Sequence, residues 1–122
     1  MKNIDRREFL GAAAVAGAAV LAAPRISFAA AEVPLEEATV ANLQAAMASG
    51  QTTAKKITQS YLARISKIDK SINSIIELNP DALVIAVEMD RERKAGKVRG
   101  PLHGIPVVIK DNIDTADKMK TT

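Results

Sequence analysis

Residues 100–114 read Gly-Pro-Leu-His-Gly-Ile-Pro-Val-Val-Ile-Lys-Asp-Asn-Ile-Asp, and this stretch is the most informative part of the chain. A loop rich in glycine and proline leads into the apolar run 105–109, which only Pro106 interrupts. Proline cannot donate to a β-ladder, but it is tolerated at the first residue of a strand. A continuous apolar run, rather than an alternating one, is typical of a strand that is covered on both faces. We therefore predict a buried strand that ends at Lys110.

Lys110 follows this run directly and precedes the turn-forming pair Asp111-Asn112. Burial at the end of a strand disfavours the charged form of a lysine, and a neutral lysine near pH 7 can act as a general base. Taken alone, the spacing favours a plainer alternative, in which the side chain reaches solvent or pairs with Asp111 or Asp114.

Two helices are predicted upstream of this segment from apolar spacing and capping residues. In the first, apolar residues recur at intervals of three and four, with Thr39 as the N-cap and Gly50 beyond the end. Thr53 is the expected N-cap of the second, whose apolar face runs along residues 57–68. Its basic residues fall largely on the opposite side and indicate a solvated face.

A further strand and a third helix are predicted between these helices and Gly100. The apolar run 73–78 is short enough for a strand. Asn79 and Pro80 then suit the N-cap and the first position of a helix, which we expect to end near Gly96.

The first 31 residues have the organisation of an export signal. A short charged region containing Arg6-Arg7 precedes the uncharged run 9–23, and small residues follow up to Ala31. The arginine pair followed by Phe-Leu resembles the twin-arginine signal of bacterial export. The uncharged run is shorter than the roughly 20 residues of a membrane-spanning helix, so an uncleaved anchor and a cytosolic helix are the lesser alternatives. We expect the twin-arginine export machinery to recognise residues 1–31, a periplasmic or secreted location, and no stable membrane anchoring after cleavage.

Composition excludes several functional classes. The chain has no cysteine, which rules out disulfides, thiol catalysis and zinc–thiolate sites. Its net charge is +3, and Tyr61 is the one aromatic residue outside the predicted signal, whereas a nucleic-acid binder normally shows a basic face with stacking aromatics. We expect no nucleic-acid partner and no metal, nucleotide or organic cofactor.

The segment from Gly100 to Asp114 resembles the lysine-bearing segment of the amidase signature family. The likeness continues through the upstream helices and covers nearly all of residues 36–122. It implies a mixed-sheet α/β/α fold, of which residues 32–122 are the N-terminal part, comprising helices and the first buried strand or strands. It also implies a small amide as substrate, whose carboxamide C–N bond is hydrolysed through an acyl-enzyme without a cofactor.

By position, Lys110 matches the catalytic lysine of that family's Ser–cis-Ser–Lys triad. His103 matches a frequent member of the loop that is not a triad residue, and we expect it to be a structural, hydrogen-bonding histidine. The family's serines lie downstream of the lysine, whereas every serine of this chain precedes Lys110. We therefore expect the 122-residue chain to be an inactive N-terminal portion of an exported amidase. The alternative is a small exported helical protein that binds a partner through residues 57–68.

Overall fold

The computed structural model describes residues 34–120, so the predicted signal at residues 1–31 lies outside the described part. Three helices are present between residues 34 and 120: α1 (Val40–Ala48), α2 (Ala54–Ile72) and α3 (Ala82–Lys94). Helices α2 and α3 pack against each other. No helix within these residues is long and apolar enough to cross a membrane.

The capping residues predicted for α1 and α2 are confirmed. Thr39 and Thr53 each accept, through the side-chain hydroxyl, the backbone N–H three residues further on, at 3.1 Å. Gly50 follows α1 and Gly96 follows α3, with φ of 76° and 75°. Glycine adopts this left-handed conformation without steric cost, so both positions end their helices as expected.

The predicted start of α3 is wrong by two residues. The helix begins at Ala82 after Asp81, whose side chain forms no capping hydrogen bond. The side chain of Asn79 instead accepts the N–H of Asp81 at 2.8 Å, and its backbone carbonyl accepts the N–H of Ala82 at 3.1 Å. Asn79 thus forms a local turn that precedes the helix, which is a common alternative to capping for this residue type.

A carboxylate from α3 stabilises the start of α2. Asp90 accepts the N–H of Ala54 at 2.7 Å and that of Lys55 at 3.1 Å. The first N–H groups of a helix have no partner within it, and the helix dipole favours negative charge there. Asp90 therefore caps α2 and joins it to α3.

The buried core lies between α1, the start of α2 and the middle of α3. Its members are small or aliphatic, and Ile57 is the largest of the fully buried side chains. The buried cluster consists of Leu43, Met47, Ala54, Ile57 and Ala86, with Leu35, Ala38, Tyr61, Met89 and Ile105 packed against it. The far end of α2 extends beyond this core, and Ile72 is 62% exposed.

The predicted buried strand at residues 105–110 is absent from the described part of the chain. These residues form neither helix nor strand, and Val107 and Val108 are 63% and 77% exposed. A strand is defined by ladder hydrogen bonds to a neighbour, and no neighbouring strand is present among residues 34–120. The α-helical part of the predicted α/β arrangement is present here, and its strand part is not.

The second predicted strand, residues 73–78, is also wrong. Asn73 adopts a left-handed conformation at the end of α2. The Asp69 carboxylate then accepts the hydroxyl and the N–H of Ser74, at 2.7 and 2.8 Å, and the N–H of Ile75 at 3.1 Å. The hydroxyl of Ser74 is the main cause that lowers the pKa of Asp69, and its N–H adds to the effect. These bonds turn the chain away from α2 and occupy donors that a strand would use.

Candidate functional site

Residues 99–105 form a tight structure, called here the anchor, that holds the start of the lysine-bearing segment against the helices. Two turns shape it, from the N–H of His103 to the carbonyl of Gly100 at 3.1 Å and from Ile105 to Leu102 at 3.0 Å. The anchor fixes the direction in which the chain leaves the helices toward Lys110.

His103 is the buried centre of the anchor, and its side chain has no exposed surface. Its Nε2 lies 2.9 Å from the carbonyl of Met89, and its Nδ1 lies 3.4 Å from the backbone N–H of Arg99. A backbone N–H can only donate, so Nδ1 accepts and Nε2 carries the hydrogen that is donated to Met89. His103 is therefore the structural, hydrogen-bonding histidine that the sequence predicts.

The side chains of Gln44 in α1 and Arg93 in α3 donate hydrogen bonds to backbone carbonyls of the anchor. The amide nitrogen of Gln44 donates to the carbonyls of Pro101 at 2.7 Å and His103 at 3.0 Å. Arg93 donates to the Gln44 side-chain oxygen at 2.6 Å and to the His103 carbonyl at 3.1 Å. Nothing in the sequence predicts these contacts, because the partners lie between 10 and 59 residues apart.

An ion pair between Arg99 and Glu92 links the anchor to α3. The guanidinium of Arg99 donates twice to the Glu92 carboxylate, with its Nε 2.7 Å from Oε2. This hydrogen bonding lowers the pKa of Glu92 and raises that of Arg99. Glu92 Oε2 also lies 3.9 Å from His103 Nδ1, so the carboxylate borders the buried imidazole.

Gly104 allows the anchor to approach the core. Its φ is 78°, and a Cβ at this position would lie 2.9 Å from the Cβ of Ala54 and 3.5 Å from the sulfur of Met47. Real Cβ atoms do not approach backbone-fixed neighbours that closely, so both the conformation and the space require glycine. The sequence predicts the structural role of His103 but not this close contact of Gly104 with the core.

Lys110 lies five residues beyond Ile105 and is exposed. Its backbone carbonyl accepts the N–H of Ile113 at 3.0 Å, which forms a turn immediately after the apolar run. The side chain of Lys110 thus reaches solvent, which is the plainer alternative that its spacing favours, because residues 34–120 do not enclose it. Its catalytic role stays a prediction.

Lys110 lines an open groove of about 1570 Å³. Its lining comes from most of α2, residues 74–79, part of α3 and much of the segment between residues 99 and 120. Apolar side chains contribute much of this lining, among them Ile68, Ile76 and Ile109.

A hydrogen bond and an ion pair also fix the far end of the lysine-bearing segment. The N–H of Lys120 donates to Glu77 at 2.8 Å, and the Lys118 ammonium lies 2.7 Å from a carboxylate oxygen of Asp81. Residues 106–116, called here the bridge, are thus held at the anchor on one side and at residues 117–120 on the other. No group of three or more possible metal-ligating side chains occurs within residues 34–120.

Comparison with known proteins gives consistent matches over this region. The sequence profile of the amidase family matches residues 56–122. A Schizosaccharomyces pombe protein named as an amidase is 49% identical over 90 residues, which are 74% of this chain and 15% of that protein. An Arthroderma benhamiae protein with an amidase name is 50% identical over 80 residues, or 66% of this chain and 14% of that protein.

A solved structure agrees with these matches. The native peptide amidase from Stenotrophomonas maltophilia superimposes with a TM-score of 0.66 at 51% sequence identity. The match covers 68% of this chain and 18% of that protein. This chain therefore spans about 15% of the length of the curated relatives and a similar share of the solved one.

Proposed function

This chain belongs to the amidase family, and we propose that it is the N-terminal, lysine-bearing portion of an exported amidase that hydrolyses a carboxamide C–N bond. Family membership supports amide hydrolysis and the α/β amidase fold at the family level. The observation that carries the proposal is the position of Lys110, on a bridge fixed at both ends and at the margin of an apolar groove.

In the proposed mechanism Lys110 is the base of the Ser–cis-Ser–Lys triad that the resemblance implies. Its neutral amine accepts a proton from a bridging serine, which takes one from the nucleophilic serine. The nucleophile attacks the amide carbonyl, the amine leaves with a proton, and water releases the acid from the acyl-enzyme. Every serine of this sequence precedes Lys110, so neither serine of the proposed triad is assigned to a residue of this sequence.

The groove supplies the physical condition that this mechanism needs. Lys110 is open to water beside apolar side chains such as Ile109 and Ile113. Covering the groove with further protein would exclude that water from the reacting groups. By the same reasoning we expect the 122-residue chain alone to be inactive, since it lacks both the nucleophile and the cover.

We further propose that residues 1–31 direct the protein to the periplasm or outside the cell through the twin-arginine machinery. Sequencing the N-terminus of the exported protein tests this, and we expect it to begin near Ala30 or Glu32. An N-terminus at Met1 in the exported fraction would contradict signal cleavage.

The alternative of a partner-binding protein that uses residues 57–68 has less support. Ile57 is 2% exposed, and Tyr61 packs against the same core. The first half of that face is therefore already occupied within the chain. The second half lines the groove, where it would contribute to the proposed amidase site.

The test is amide hydrolysis by the gene product purified from its native source after its intact mass has been measured. A peptide amide is the first substrate to use, because the solved neighbour is a peptide amidase. We expect a mass well above 13.0 kDa and a fall in kcat of about 10²-fold or more for Lys110→Ala, as for loss of a general base.

Lys67→Ala is the matched control, since Lys67 is an exposed lysine of α2 that does not line the groove. It should change kcat by less than about threefold, which corresponds to a loss below 1 kcal/mol. Equal activity of the Lys110→Ala protein would contradict the role of Lys110. Lys110-dependent turnover by the purified 122-residue chain would contradict its expected inactivity.

A further inference from the structure

We propose that Gln44 and Arg93 are positioning residues for Lys110, because their side chains fix the backbone from which the lysine-bearing segment leaves the helices. The inference rests on the proposed function and adds one residue of α1 and one of α3 to it. Neither residue lines the groove, so each acts through the anchor and not on the reacting groups.

The side chain of Gln44 contacts the anchor and α3 at the same time. Its Nε2 donates to the carbonyls of Pro101 at 2.7 Å and His103 at 3.0 Å, while its Oε1 accepts from Arg93 at 2.6 Å. A carbonyl can only accept and a guanidinium can only donate, so one orientation of the amide satisfies all three partners. The amide of Gln44 is therefore held in a single arrangement.

Arg93 fixes the same part of the anchor from α3. Its guanidinium donates to the Gln44 side-chain oxygen and also to the carbonyl of His103, at 3.1 Å. The His103 carbonyl thus accepts two donors, which matches its two lone pairs. Hydrogen bonds from a charged donor are stronger than neutral ones, and both side chains are partly buried, so these contacts restrain the anchor firmly.

The restrained carbonyls lie where the chain turns toward Lys110. Gly104 follows His103 directly with a φ of 78°, and Lys110 comes six residues later. At 3.3–3.6 Å per residue this stretch reaches about 20 Å, so a change of about 10° at Gly104 moves its end by about 3 Å. A displacement of about 1 Å can lower the rate of an enzyme about 10²-fold. Small movements of the anchor therefore matter at the lysine.

The test is Gln44→Glu in the gene product purified from its native source. Glutamate keeps the length of the side chain and an oxygen for Arg93, but it has no N–H for the two carbonyls. We expect kcat for a peptide amide to fall about tenfold, a partial loss because the bond from Lys120 to Glu77 still restrains the far end of the bridge. KM should stay within about twofold, since Gln44 does not line the groove.

A second background separates positioning from general damage to the fold. If Gln44 acts through Lys110, its loss has nothing further to disturb in Lys110→Ala, and Gln44→Glu should lower the residual kcat there by less than about twofold. General damage would lower kcat by the same factor in both backgrounds. Arg93→Met removes the donor on α3 and should show the same dependence, with a fall of about threefold or more in the unchanged protein.

Two control variants test charge and stability. Gln59→Glu makes the same substitution at an exposed position of α2 that does not line the groove. Thr39→Ala removes the N-cap of α1, the helix that carries Gln44, and lowers stability without removing a contact to the anchor. Each should leave kcat within about twofold when it is measured below the melting transition.

Three results would overturn the inference. They are a kcat for Gln44→Glu that matches Gln59→Glu, an equal fall for Thr39→Ala, and the same factor of loss in both backgrounds. If Gln44→Glu does not fold, Arg93→Met decides by the same comparison between backgrounds. An unchanged kcat for Lys110→Ala would instead contradict the proposed function, on which the inference rests.

Discussion

The anchor and the bridge are adjacent in sequence, but they differ in whether their polar groups and apolar side chains find partners within residues 34–120. In the anchor, His103 is buried and its ring nitrogens and carbonyl are hydrogen-bonded to Met89, Arg99, Gln44 and Arg93. A few residues later, Val107 and Val108 expose apolar side chains and unpaired backbone. The anchor therefore meets its hydrogen-bonding needs within residues 34–120, whereas the bridge leaves apolar side chains exposed there.

The largest effect is expected from Gly104→Ala. The substitution forces a left-handed residue to carry a Cβ 2.9 Å from that of Ala54. Steric overpacking and the left-handed conformation together should lower the free energy of unfolding by about 2–4 kcal/mol. Urea unfolding of the chain followed by circular dichroism measures the change.

Gly96→Ala is the control for Gly104→Ala. Gly96 has nearly the same φ, 75°, but a Cβ there would have no atom within 4 Å. It should cost only about 1 kcal/mol, which reflects the backbone conformation alone. Equal costs at the two positions would show that the close approach at Gly104 does not support the anchor.

An intermediate effect is expected from His103→Ala. The change leaves the carbonyl of Met89 and the N–H of Arg99 without their side-chain partner and opens a cavity in a fully buried position. We expect a loss of about 2–3 kcal/mol in the free energy of unfolding. Val108→Ala, in the exposed bridge, should change it by less than about 0.5 kcal/mol. If both variants cost the same in urea unfolding, the contrast between anchor and bridge is wrong.

The smallest effect concerns acid stability. The Arg99 guanidinium lowers the pKa of Glu92 below its ordinary value of 4.5. Because the folded pKa is lower than the unfolded one, the stability that this carboxylate contributes is present above pH 4.5 and is lost as the pH falls through the folded value. With Glu92→Gln, the melting temperature should therefore fall less steeply as the pH drops below 4.5.

Glu88→Gln provides the comparison for the acid measurement. Glu88 pairs with Arg91 on an exposed face of α3, where ion pairs contribute little. Its substitution should leave the pH dependence of the melting temperature nearly unchanged. A larger change for Glu88→Gln than for Glu92→Gln would show that the Arg99 ion pair does not matter to the anchor.

The parts of the fold that could be predicted are those that depend on local chemistry. Thr39 and Thr53 cap helices through an N–H only three residues away, and Gly50 and Gly96 are required by a local left-handed turn. Asn79 shows the limit of such rules, because its side chain can cap a helix or form a turn, and here it forms the turn.

The parts that could not be predicted depend on residues distant in sequence. Asp90 caps α2 from 36 residues away, and Gln44 contacts the anchor from 59 residues away. A signal for Asp90 did exist, since it continues the apolar spacing of Leu83, Ala86 and Val87, and a carboxylate on such a face needs a partner. The prediction of a strand at residues 105–110 is wrong because a strand needs a second strand to pair with, whatever its own apolar pattern.

The proposed role of Lys110 as the base of an amidase site is tested most directly by hydrolysis of a peptide amide by the gene product purified from its native source. We predict that turnover falls about 10²-fold or more with Lys110→Ala, at equal protein concentration. Equal turnover by the two proteins would contradict this role.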